Sequence, residues 1–132
     1  MIEIVFPDDG LERLAFLTAV VTMVLGLALM IVPRRFARFL GLQPIAGTNN
    51  GVSEIRGPFG GMMMGLGLAC IILAQPFTYF ALGLAFLGAV LGRLISIVFD
   101  RTFNAHCLIA TAIELLGAYF TLNFALQAFG LI

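Results

Sequence analysis

Apolar residues run along this chain in four long blocks, at 14–32, 57–74, 77–99 and 105–126, separated by polar breaks. Each block approaches the ~20 residues that an α-helix needs to cross ~30 Å of hydrocarbon. The pattern predicts an all-α fold, a four-helix transmembrane bundle forming a single integral membrane domain over residues 1–132.

The breaks differ in kind. Pro33 and the pair Arg34-Arg35 end the first block. Gln75-Pro76, between the second and third, is so short that it forces an antiparallel helix hairpin, and the Asp100–Asn104 link is nearly as short. The stretch from Pro33 to Arg56 is longer. Its first part, Arg34 to Leu40, interleaves basic and apolar residues at roughly helical spacing. That spacing predicts an amphipathic segment in the membrane interface, with Phe36, Phe39 and Leu40 in lipid and Arg34, Arg35 and Arg38 at headgroup phosphates. The plainer reading of the same residues is a stop-transfer anchor. Residues 43–51, rich in Gly, Asn and Thr, read as a loop.

Composition agrees with a bilayer as solvent. The chain is 61% hydrophobic and 11% charged, with a mean hydropathy of +1.11. A soluble domain of this size needs far more charge to cover its surface. The zero net charge hides an asymmetry. The acids Glu3, Asp8, Asp9 and Glu12 precede the first block, and every basic residue is an arginine. Arg34, Arg35, Arg38, Arg56 and Arg101 fall on one side of the expected membrane and Arg13 on the other. The positive-inside rule then turns both termini away from the cytoplasm of a cell inner (plasma) membrane. The first block has no basic leader and no cleavage site, so it reads as a retained helix.

Other classes of function find little support. No basic face with stacking aromatics suggests nucleic acid. Cys70 and Cys107 lie at different depths, too far apart for a disulfide, and form no CxxC pair. They read as small packing residues. Met62, Met63 and Met64 are consecutive and cannot share a helix face, so they read as adaptable packing. His106 is the only histidine, and no nucleophile–base or metal-ligand set accompanies it. The chain therefore reads as non-enzymatic, with no cofactor and no metal.

Helices in lipid pack through small residues that let backbones approach closely. The second block carries Gly57, Gly61, Gly65 and Ala69 at every fourth position, and the third carries Gly88 and Gly92 beside Ala81, Ala85 and Ala89. The first has a weaker stripe of Ala15, Ala19, Thr22 and Gly26. Glu54, Arg93 and Glu114 extend or interrupt these small-residue faces, and buried ionisable groups are expected to face a bundle interior. Arg93 lies six residues before Phe99, ~9 Å inside at the helical rise, and Glu114 about 14 Å inside. The expectation is an intramembrane polar cluster of Glu54, Arg56, Arg93, Ser96, Asp100 and Glu114. It could be a structural ion-pair network, or a proton or ligand site.

Two stretches also resemble a known family. Glu54-Ile55-Arg56-Gly57-Pro58-Phe59-Gly60-Gly61 resembles a Glu-x-Arg-x-x-x-Gly-Gly motif. Gly92-Arg93-Leu94-Ile95-Ser96 with Asp100 resembles a Gly-Arg-x-x-Ser-x-x-x-Asp motif. With Glu114 in the last block they are similar to a family of small four-span bacterial membrane proteins known only as a domain of unknown function. The resemblance implies four helices and supplies no activity. The expected role is an accessory subunit of a larger membrane complex, or a homo-oligomer held by its glycine faces. The alternative is a small-ligand or proton-coupled binding or transport protein using Glu114 and Arg93.

Overall fold

A computed structural model describes residues 4–132. Glu3, counted above in the acidic segment, lies outside the described residues. The described chain is helical without strands: α1 (Gly10–Ile31), α2 (Pro33–Phe39), α3 (Asn50–Glu54), a π-helical segment (Ile55–Gly61), α4 (Met62–Leu73), α5 (Pro76–Phe99) and α6 (Ala105–Ala128). α3, the π segment and α4 are continuous, so four helices are long and apolar enough to span a membrane: Gly10–Ile31, Asn50–Leu73, Pro76–Phe99 and Ala105–Ala128. Together they mark a multi-pass membrane protein.

Local chemistry sets the helix ends. The Asp9 carboxylate accepts from Gly10 N at 2.7 Å and caps α1. The Asn104 side chain accepts from Cys107 N at 2.9 Å and caps α6. Pro at the first turn opens both α2 and α5, where its missing N–H costs nothing. Ala74 closes α4 in the left-handed region, φ 48°. Inside the spans, Thr18, Thr22, Thr111 and Thr121 turn their hydroxyls back to carbonyls one turn earlier. Each thereby satisfies its own polar group without water.

The helices pair as α1 with the second span and α5 with α6. At the end that holds the chain termini the two pairs share one core, in which Ala15, Ala19, Cys70, Ile71, Tyr79, Leu82 and Ala125 are buried. At the opposite end the buried cluster of Leu29, Ala37 and Ile55 draws on α1, α2 and the π segment alone. There α5 and α6 are held together by other means.

Several expectations about packing change. The second helix begins at Asn50 rather than near 57, and its middle is a π helix around Pro58. A proline inside an α-helix removes one hydrogen bond and pushes its ring against the carbonyl four residues back. The wider π turn relieves that crowding, and Gly57, Gly60 and Gly61 lower the cost of the altered backbone. Gly26 packs inside as its stripe predicts, but on the second and third spans the glycines that pack inside are not the expected ones. A Cβ on Gly57, Gly65, Gly88 or Gly92 would meet nothing, and one on Gly61 would approach only its own helix. The close contacts belong to Gly26, Gly60, Gly67, Gly83 and Gly117. Finally, Phe36 packs against the Leu29 cluster instead of entering lipid, while Phe39 is 80% exposed.

Candidate functional site

Arg93 and Glu114 do meet. Arg93 Nε donates to Glu114 Oε2 at 2.7 Å, joining α5 to α6. Both helices turn the right face. Leu82, Gly83 and Val90 are buried along the Arg93 face of α5, and Cys107, Gly117, Ala118 and Thr121 along the Glu114 face of α6. Gly117 has no side chain because the Phe86 ring lies against it, with a Cβ placed there only 2.9 Å from Phe86 Cε2. That close approach brings the two helices near enough for the pair to form one turn away on α6 and two turns away on α5.

The larger buried cluster does not form. The Arg93–Glu114 pair is the only ion pair among the described residues, and its side chains are 34% and 16% exposed. Glu54 is exposed and joins neither partner, because it sits on α3, which packs on the π segment rather than on α5 or α6. Arg56 turns the other way and donates from Nη1 to the carbonyl of Met30. α1 has no basic residue in its last turn, so its terminal carbonyls need a donor from elsewhere. Arg56 is that donor.

Ser96 and Asp100 have a third role. Ser96 Oγ donates to Asp100 Oδ2 at 2.9 Å, and Thr102 Oγ1 donates to Ser96 Oγ at 3.1 Å. Arg101 between them takes φ 55°. This network fixes the turn from α5 into α6, and hence the register that sets Arg93 opposite Glu114. The polar column expected from the sequence therefore resolves into one interhelical ion pair, one turn network and one helix cap.

The interfacial arginines also separate. Arg34 Nη2 donates to Asn49 Oδ1 at 3.0 Å and pins the loop between α2 and α3. With Arg38 it lines a cavity of about 840 Å³ beneath that loop. Arg35 lines a smaller hollow of about 220 Å³ with Arg56 and Val52. Reasoning from sequence missed the larger cavity, since residues 43–51 look like an unconstrained link. The available signals were Pro44 and the two glycines Gly41 and Gly47, which take φ of 77° and 86°. Pro44 packs against Gly51, where an added Cβ would lie 3.2 Å from Pro44 Cβ, and this folds the loop back.

The family model described as Domain of unknown function (DUF4345) matches residues 11–124. No curated protein and no solved structure matches the chain significantly. The matched stretch takes in all but the outer ends of the four apolar helices, with the ion pair and the π segment, and its description assigns no chemistry. The chain belongs to this uncharacterised domain family, DUF4345.

Proposed function

We propose that this protein performs no chemistry of its own and works as a non-enzymatic subunit, associating in the plane of the membrane with copies of itself or with a larger complex. One observation carries the reading. Gly57, Gly61 and Gly65 form a smooth ridge on the second span that no other helix of the protomer covers. In lipid, helices gain from such ridges because close backbone approach multiplies dispersion contacts. The concentration of arginines at the α2 end supports a plasma-membrane placement with both termini outside the cytoplasm.

Gly65→Leu tests the reading cleanly, because open space surrounds Gly65. The protomer should stay folded, with stability unchanged or raised by up to ~1 kcal/mol from helix propensity. Association, followed by light scattering in mild detergent and by affinity capture from the native membrane, should weaken. A wild-type protein that is monomeric and captures nothing would sink the proposal, as would a Gly65→Leu protein that associates as before.

A second reading rests on the ion pair. It uses one nitrogen and one oxygen, and beyond the nearby Cys107 thiol the remaining guanidinium nitrogens and Oε1 meet no strong hydrogen-bonding group of a described residue. These atoms are available to a small polar ligand or a transferred proton. On this reading a ligand co-purifies with the wild-type protein, detectable by mass spectrometry, and is lost from a folded Glu114→Gln variant. Equal retention by both would dismiss it.

A further inference from the structure

We propose that the cavity between α2 and the loop that follows it is a binding site for the phosphate of an anionic membrane phospholipid, gripped by Arg34 and Arg38. The two arginines are four residues apart on one helix, so they lie one above the other on the same face. Both line the cavity, and no Asp or Glu does. Two guanidinium groups in one concave site, without an acid to neutralise them, form a receptor for a doubly coordinated phosphate. The loop adds polar groups to the same cavity: Gln43, Thr48 and Asn49. Asn49 already holds Arg34 in place at 3.0 Å, so one of the two cations is positioned before any ligand arrives. The Arg38 side chain makes no hydrogen bond or ion pair with a described residue and is free to close on the phosphate.

The choice of a lipid over a free phosphate comes from the apolar part of the lining. Leu42 and Ile45 belong to the same cavity, and Ile45 is 79% exposed. Phe39, also exposed, projects from the same short helix. Charged and apolar surfaces side by side, at the end of a spanning helix, match a headgroup whose acyl chains continue into the bilayer. α2 itself cannot tilt away from this position. Pro33 and Ala37 are buried against the rest of the fold, which leaves the arginines on the outer face.

The test is a thermal-unfolding titration of the full chain in detergent micelles, followed by circular dichroism because the protein has no tryptophan. Phosphatidylglycerol should raise the midpoint saturably, while phosphatidylcholine, whose headgroup carries a compensating cation, should need far more lipid. The double variant Arg34→Gln/Arg38→Gln should require roughly thirtyfold more phosphatidylglycerol, the loss expected for two interfacial arginines at an anionic surface. Arg101→Gln, which removes a positive charge outside the cavity, should titrate like wild type. Should the double variant not fold, Arg38→Gln alone carries the test, because that side chain holds nothing else in place. Wild-type behaviour of a folded cavity variant overturns the proposal, and so does an equal loss in Arg101→Gln. Stabilisation by soluble glycerol 3-phosphate alone, at concentrations matching the lipid, overturns the assignment to a lipid.

Discussion

Gly26→Leu should leave the first two spans unable to pack, and the protein should not reach a folded, monodisperse state in detergent. An added Cβ at Gly26 would overlap the backbone nitrogen of Met64 and lie 2.7 Å from the carbonyl oxygen of Gly60. These are backbone atoms, which cannot swing aside as a side chain can. The contact is mutual, since a Cβ on Gly60 would lie 2.9 Å from the Gly26 oxygen. A second close point lies seven residues away on each helix, where Gly67 meets Ala19 and Met23, with a Cβ only 2.6 Å from the Ala19 oxygen. Equal spacing on the two helices, in opposite directions, is what an antiparallel pair in fixed register requires. Gly26→Ala already separates the outcomes. Helix propensity favours alanine by ~1 kcal/mol, whereas overpacking costs about 1–3 kcal/mol. With backbone on the receiving side the clash wins, so Gly26→Ala should lower the unfolding midpoint and Gly26→Leu should do so far more. Gly65→Leu, on the open side of the same helix pair, is the control. A Gly26→Leu protein with a wild-type midpoint would show that these backbones do not touch.

The architecture was legible because a bilayer leaves few options. Apolar runs near 20 residues can be satisfied only as helices, and the length of each link sets which helices are neighbours. The stripe Ala15, Ala19, Thr22 and Gly26 could be read directly, and all four residues are buried. The second span misled because its backbone changes period. Four-residue spacing through Gly57, Gly61 and Gly65 marks one helix face, but around Pro58 and the π segment that face is left open and a different one turns inward. The inward positions became Gly60 and Gly67. Pro58 beside three glycines was the available warning. The polar cluster was overdrawn for a related reason. Their small-residue faces put these charges in one interior, yet Arg56 serves a carbonyl of α1 and Glu54 is exposed. Sequence spacing locates a side chain on its helix; which neighbour it meets depends on how far the helix pairs diverge.

Arg93→Ala should destabilise the protein more than Glu114→Ala, although the two variants break the same bond. The reason is the side chain left behind. Without Arg93, the Glu114 carboxylate stands alone about 14 Å into its span, only 16% exposed, with nothing to pair with nearby. Leaving a charge unpaired at bilayer depth costs about 2.5–3.5 kcal/mol. Without Glu114, the arginine keeps a long flexible stem and is already 34% exposed. Snorkelling toward the interface, ~9 Å away on the helical rise, limits the loss to about 1–2 kcal/mol. Glu114→Gln retains an oxygen acceptor at nearly the same place and should cost ~1 kcal/mol, near the values measured for interhelical hydrogen bonds in membranes. The swap Arg93→Glu with Glu114→Arg is the decisive variant. It restores opposite charges across the α5–α6 contact, so it should recover part of what each single swap loses, with a coupling of about 1–2 kcal/mol in a double-mutant cycle. Thermal unfolding of the four proteins in one detergent measures it. Strictly additive losses would mean that the 2.7 Å pair contributes nothing to holding α5 on α6, leaving that task to Phe86 against Gly117 and to the buried Leu82 and Thr121.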